Sequence, residues 1–166
     1  MPNDGACISE LQRLSAAETP AAPFLSVVIP AYNEALRIGK SLDRIRRYLS
    51  EGPSSEVIAV DDGSTDQTTH VVAQAAENWP ALRLLVNDRN RGKGFSVRRG
   101  VVEARGRYVL FTDSDLSAPI DQADTLIAAV ESTGADSAGV QKLGQPVPDS
   151  NFVAELNRGA PQQTQV

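Results

Sequence analysis

Four short apolar runs, each closed by a polar turn and followed by a stretch with helical spacing, constrain the fold of this 166-residue chain more than any other feature. The runs are FLSVVIP (24–30), EVIAV (56–60), LRLLV (82–86) and YVLFT (108–112). Short apolar runs without alternation, bounded by Gly, Pro or Asp, are what a strand buried on both faces requires. After the first run, Ile38, Leu42, Ile45 and Leu49 recur at spacings of four, three and four, the stripe of an amphipathic helix, which Gly52 and Pro53 stop. After the second, Ser64 with Gln67 three residues on is a capping-box pattern. It predicts a helix over 65–79 with Val71, Val72, Ala75 and Trp79 inward, closed by Pro80. Phe95, Val101 and Val102 mark a shorter helix ending near Gly106, and Ala123, Leu126, Ile127 and Val130 mark a last one ending at Gly134. Alternation of this kind gives an α/β, doubly wound, mostly parallel sheet with helices on both faces.

The folded body is expected over 24–136. Residues 1–23, rich in Ala, Pro and Ser, read as a flexible arm, and 137–166, with five Gln, three Pro and no apolar period, as a disordered tail. The single cysteine, Cys7, has no internal disulfide partner, and no Cys/His cluster suggests structural zinc, so a reducing compartment is expected. No apolar run has the length of a membrane span. The expected location is cytoplasmic.

The charge is −5, from 16 Lys and Arg against 21 Asp and Glu, which argues against a nucleic-acid partner. From Arg83 to Arg107, however, eight basic residues face two acids, a local +6 that leaves −11 elsewhere.

In a parallel sheet all strands end on one rim, where ligands bind. This sequence loads that rim. Tyr32, Asn33 and Glu34 follow the first strand, Asp61 and Asp62 the second, Asn90 to Gly94 the third, and Asp113-Ser114-Asp115 the fourth. Carboxylates at i and i+2 after a strand suit a hard divalent cation that bridges to substrate phosphates. Adjacent ionised carboxylates such as Asp61 and Asp62 repel unless donors compensate them, which favours a ligand there over a bare turn. Gly92-Lys93-Gly94 has the glycines and the charge of a phosphate cradle, and Arg91 stands beside it, but the loop lacks both the Walker spacing and the third glycine of the dinucleotide fingerprint. Asp113, Asp115, Ser117, Asp121 and Asp124 also match EF-hand loop positions, yet Ala118 replaces the needed glycine. Arg98, Arg99, Arg105 and Arg107 read as a solvated helix face and its end, His70 as a surface residue, and Tyr48 and Trp79 as helix-end packing.

SVVIPAYNE (26–34), VIAVDDGSTD (57–66) and NRGKGFSVRRGVVEARGRYVLFTDSDLSAP (90–119), in that order, resemble the family 2 inverting glycosyltransferases, and within them the dolichyl-phosphate glucosyltransferases and polyprenyl-phosphate mannosyltransferases. The resemblance covers about 24–136 and implies a GT-A fold whose amino-terminal half binds a nucleotide-diphosphate sugar, UDP-glucose or GDP-mannose. Carried over by position, it puts Pro30, Ala31, Tyr32 and Glu34 at the nucleoside pocket, with Asp61 and Asp62 toward the base. Arg91 and Lys93 fall by the diphosphate. Asp113 and Ser114 fall near the ribose, and Asp115, with Asp113, on Mg²⁺ or Mn²⁺ as the catalytic centre. The acceptor implied is a polyprenyl phosphate lipid, which would bring the chain to the cytoplasmic membrane face.

The resemblance stops near Asp136, where family members continue into a further strand and an acceptor-binding half. Two further expectations follow: an apolar fourth strand with an unpaired edge, prone to self-association, and little or no transfer to lipid by this chain. A nucleotide-sugar-binding module without turnover is the alternative reading. A signalling receiver domain is a third, opposed by the lack of an acidic pair after the first strand.

Overall fold

A computed structural model describes residues 22–133 and 152–155. The first strand, β1 (Leu25–Ala31), is buried at every position and sits at the centre of the sheet. It is followed by α1 (Ile38–Ser50), β2 (Ser55–Asp61), α2 (Thr68–Glu77), β3 (Leu82–Val86), α3 (Lys93–Glu103), β4 (Tyr108–Phe111), α4 (Gln122–Thr133) and β5 (Phe152–Glu155). The sheet order is β3-β2-β1-β4-β5, and every pairing is parallel. In register, Ala31 lies beside Asp61 and Asp61 beside Val86, so the ends of the first three strands are level.

Two cores follow from strand alternation. Val27, Ile29, Val57, Ala59 and Leu110 face one side, packed with Ile38, Leu42 and Ile45 of α1, Val72 of α2 and Ala123 and Val130 of α4. Val28, Ile58, Val60 and Val109 face the other, against Val97 and Val101 of α3. The apolar side of α3 therefore includes Val97, whereas Val102 is 65% exposed. Gly100 lets α3 come close to the sheet: a Cβ there would lie 2.3 Å from Val28 Cγ1.

Two expectations need correction. The capping-box pattern starting at Ser64 does not start α2, which begins three residues past Thr65 and has no side-chain cap from its N-cap residue, Gln67. The Ser64 hydroxyl is taken by Asp61 Oδ1 at 2.5 Å, and Asp66 Oδ1 instead accepts the Thr68 amide at 2.9 Å. The edge of β4 is also not unpaired, because Phe152–Glu155, placed within the expected tail, adds to it in parallel from Tyr108↔Phe152 to Phe111↔Glu155. A strand bonded on one side only leaves a row of backbone donors and acceptors to satisfy, and a segment that opens with Phe and Val has the β propensity to meet them. This removes the basis for self-association through that edge. The remainder of the expected tail, and residues 1–21 of the arm, lie outside the described residues.

Candidate functional site

The loops after β1 and β2 are stitched together by their own polar side chains. Ser64 Oγ accepts the Asn33 amide at 2.9 Å, Asn33 Oδ1 accepts the Thr65 amide at 2.9 Å, and Thr68 Oγ1 accepts the Glu34 amide at 2.8 Å. Asp66 Oδ2 takes the amide of Ala35 at 3.2 Å. The YNE and DGSTD segments thus satisfy each other's orphan backbone groups, which explains why Asn, Ser, Thr and Asp crowd these two turns. Asn33 has a positive φ of 54°, a conformation that Asn tolerates better than most residues.

Successive strand residues point to opposite faces, and this separates the two adjacent acids. Asp61 is 1% exposed: Oδ1 accepts the Ser64 amide at 3.1 Å and its hydroxyl, and Oδ2 accepts the Thr69 hydroxyl. Asp62 is 3% exposed and turns toward α3, where Oδ1 accepts Asn87 Nδ2 at 2.6 Å and the Arg91 amide at 3.0 Å, and Oδ2 accepts the Gly92 amide at 2.8 Å. Burial pushes the Asp62 carboxyl pKa upward, but the amides of Arg91 and Gly92 with Asn87 and Ser96 together hold it below the usual range. Repulsion between the pair therefore does not demand an external ligand, because the protein's own donors compensate each acid separately.

Beyond β3, the backbone runs through Gly92 at φ 90° into the amino terminus of α3. A Cβ on Gly92 or Gly94 would meet nothing within 4 Å, so this stretch is open to an incoming group. Arg91 is exposed, its guanidinium 4.0 Å over the Phe95 ring, and Lys93 makes an ion pair with Asp113. That pair joins the third and fourth strand ends.

At the end of β4, Asp113 is half-buried, Ser114 is 7% exposed and Asp115 is exposed. Asp115 Oδ1 accepts the Ser117 hydroxyl at 2.7 Å and its amide at 3.0 Å. Those bonds, with a smaller part from the charge of Arg37, keep the carboxyl below its usual range. Its Oδ2 carries no hydrogen bond to another described residue. Immediately before Asp113, Thr112 Oγ1 is buried without a hydrogen-bond partner among the described residues.

Of the residues expected at the site, Lys93 and Asp113 meet directly and Asp62 meets Arg91 and Gly92. Tyr32 is 43% exposed on the same rim. Pro30 and Ala31 are buried within β1, and the Ala31 carbonyl accepts the Asp62 amide at 2.8 Å. One residue escaped the sequence reading: Arg37, whose guanidinium grips Glu34 through Nε at 2.8 Å and an Nη at 3.0 Å and whose charge reaches Asp115. The signal was a cation three residues from Glu34 at a helix start.

A cavity of about 430 Å³ lies at the opposite end of the sheet, between Phe24, Tyr48, Leu49 and Ile127. Glu51, Asp121 and Asp124 line it without any Lys or Arg, which disfavours an anion there. Arg91 and Lys93, the cations beside the open Gly92–Gly94 backbone, are on the rim at the strand ends.

Residues 26–157 match glycosyl transferase family 2, and the chain belongs to that family. It is 42% identical over 100 residues to the dolichyl-phosphate beta-glucosyltransferase of Dictyostelium discoideum, covering 55% of this chain and 31% of that protein. It is 40% identical over 114 residues to the enzyme of the same name from Saccharomyces cerevisiae, covering 64% of this chain and 34% of that one. The chain thus spans about a third of the length of these relatives. Among solved structures it resembles a mannosyltransferase of Pyrobaculum calidifontis in complex with GDP-Man and Mn²⁺, with a TM-score of 0.57 and 33% identity over 67% of this chain and 33% of that one. It also resembles glucosyl-3-phosphoglycerate synthase of Mycobacterium tuberculosis with Mn²⁺, UDP and glucosyl-3-phosphoglycerate, with a TM-score of 0.54 and 28% identity over 82% of this chain and 47% of that one. The fold is of the GT-A nucleotide-diphospho-sugar transferase type. No described helix is long and apolar enough to cross a membrane.

Proposed function

We propose that residues 24–133 form the donor-binding part of a hexosyltransferase that moves glucose, with inversion, from UDP-glucose to dolichyl phosphate. The observation that carries this reading is the meeting of Lys93 with Asp113 beside an exposed Asp115, on the rim where the open Gly92–Gly94 backbone begins α3. The glucosyltransferase relatives favour glucose over mannose as the sugar.

Among the described residues no group of three or more His, Cys, Asp or Glu forms a ready cation cage. A hard divalent ion held between protein and substrate needs only one or two carboxylates, the rest of its shell being water and phosphate oxygens. The residues present fit that requirement: Asp115 is exposed, favours its ionised form and keeps Oδ2 unengaged, and Asp113 stands two residues before it. These two would hold Mg²⁺ or Mn²⁺, which when bound supplies positive charge to the leaving diphosphate. Lys93 adds a second positive charge to the same diphosphate once the nucleotide draws it from Asp113, and the amino terminus of α3 adds its dipole. Tyr32 and Glu34 border the nucleoside, with the first two loops held rigid by the bonds around Asn33 and Ser64. A phosphate acceptor is largely ionised at neutral pH, its second pKa being about 6, so no strong general base is required.

The test is selection among labelled donors. With Mn²⁺ present, UDP-glucose should bind in preference to GDP-mannose. Preference for GDP-mannose would move the reading to a mannosyltransferase, and binding of neither would remove it.

A further inference from the structure

The apolar core does not close at the amino ends of the strands. Phe24, Tyr48, Leu49 and Ile127 pack on it, yet they stay only half-buried and line the 430 Å³ cavity there. A second cavity, of about 250 Å³, lies between Arg46, Leu49, Pro53, Trp79 and Ala81. The two share Leu49, Gly52, Pro53 and Ser55, so they form one groove along the end of α1 and the turn into β2. Charge changes sign along it. At the end near Phe24, Glu51 and Asp124 have no ion pair among the described residues, and Asp121 has only a loose one, with Arg44 at 3.8 Å. The far end carries Arg46, 5.9 Å over the Trp79 ring.

The chain enters the fold beside this groove. The Phe24 amide donates to the Ser54 carbonyl at 2.7 Å and the Pro23 carbonyl accepts the Arg107 amide at 2.9 Å, which pins the backbone at the acidic end. Residues 1–21 lie before that point, outside the described residues, and their only Ile, Leu, Val or Phe residues are Ile8, Leu11 and Leu14. Apolar residues at every third position make one stripe when the backbone turns helically, and here Glu10 and Arg13 flank it. Residues 15–21 can span up to about 23 Å when extended, which is ample for a groove that begins at Phe24 itself. The order of charges matches as well. Counted back from Phe24, Leu14 and Arg13 come first, toward the acids, and Leu11, Glu10 and Ile8 follow, toward Arg46 and Trp79. Opposite charges paired at both ends of an apolar contact fix its direction.

We infer that residues 8–14 of this chain dock in the groove, with Ile8, Leu11 and Leu14 on its apolar wall, Arg13 toward Glu51 and Asp124, and Glu10 toward Arg46. The arm expected over 1–23 then covers the end of the sheet away from the rim and leaves the rim open. The inference goes beyond the proposed donor site and does not depend on it.

Cys7, the only cysteine, adjoins Ile8 and accepts a nitroxide label without any further substitution. In NMR spectra of the labelled chain, the amides of Gly52, Ser55, Trp79 and Ala81 should be broadened, and those of Arg91 and Gly92 at the rim should be spared. Leu11→Asn should abolish the broadening and, in the unlabelled chain, speed hydrogen exchange at the Phe24 and Gly52 amides by about tenfold. Arg13→Glu should weaken the broadening, and Arg13→Glu combined with Glu51→Lys should restore it. No broadening at the groove, or broadening that survives Leu11→Asn, would overturn the inference. A double variant no nearer the wild type than Arg13→Glu alone would overturn the charge pairing that orients the segment, and the inference with it. Nitroxide on one copy that broadens the groove of a second, isotope-labelled copy would show that a neighbouring molecule fills it, and would equally overturn the assignment.

Discussion

Buried carboxylates close both ends of this sheet, and they serve different purposes. At the amino ends of the strands, Glu56 Oε1 accepts the Ser26 hydroxyl at 2.7 Å and the Arg105 amide at 2.6 Å, while Oε2 faces Arg83 at 3.3 Å. Ser26 Oγ in turn accepts the Gly106 amide at 2.8 Å, and Arg83 also reaches Glu103. One acid there ties β1, β2, β3 and the turn into β4 together, and nothing in the cluster is left to act on a ligand. At the carboxyl ends, Asp61 and Asp62 do similar work within the protein, but they hold loops beside which Tyr32, Arg91 and Lys93 remain exposed, with Asp115 exposed on the neighbouring loop after β4. Sheltering a carboxylate from water is thus compatible with either task. What separates a structural end from a functional one is whether exposed groups of complementary charge are mounted on the elements that the buried acids fix.

Mutations at the two ends should therefore part stability from binding. Glu56→Ala leaves Arg83, Ser26 and the Arg105 amide without their shared acceptor and should destabilise the fold by about 3 kcal/mol, measured by urea denaturation. Below its melting range, that variant should bind nucleotide as the wild type does; a selective loss of binding would erase the distinction drawn here. Asp115→Asn should do the reverse, lowering Mn²⁺-dependent nucleotide affinity on the order of tenfold, about 1.4 kcal/mol, with stability changed by less than about 0.5 kcal/mol. Asp121→Asn, an exposed acid loosely paired with Arg44 at 3.8 Å, is the control and should alter neither the metal dependence nor the affinity.

A smaller effect concerns acid. Asp62 and Asp66 both titrate below the ordinary carboxylate range in the folded chain. For Asp62 burial opposes the shift and donated hydrogen bonds overcome it; for Asp66 the Thr68 hydroxyl leads. A folded pKa below the unfolded value of about 3.9 gives stability that is present above that value and is lost as pH falls through the depressed one. Urea midpoints should accordingly be level from about pH 7 to 5 and decline below about 4, and Asp62→Asn should make the decline shallower. An unchanged slope in that variant would mean that the carboxylate is not held as described.

Much of the frame was legible because apolar runs and stripes carry it: Leu82–Val86 and the helix beginning at Ile38 fall where the sequence places them. What was not legible depends on which donor reaches an acceptor first. Ser64 has the spacing of a helix cap, but its Oγ accepts the Asn33 amide of the first loop and donates its own proton to Asp61, so it serves the loops and not an α2 amide. The paired acids 61 and 62 looked like a ligand site because sequence shows their adjacency and hides their opposite facing. Phe152–Glu155 reads as tail in the sequence, since four residues carry no period and only the open edge of β4 gives them a reason to be a strand. Arg37 carries only a weak mark in sequence, its i,i+3 spacing from Glu34, and its influence on Asp115 comes from folding.

The central claim, that the carboxyl rim of this sheet is a nucleotide-diphosphate site completed by a divalent ion, is tested most directly by calorimetry. UDP and GDP would each be titrated into the chain with and without Mn²⁺. The account predicts that at least one of them binds with a Kd below about 1 mM when Mn²⁺ is present, roughly −4 kcal/mol or better, and measurably more weakly without it. If neither nucleotide binds below millimolar with the metal present, the assignment of the rim to a donor site is contradicted.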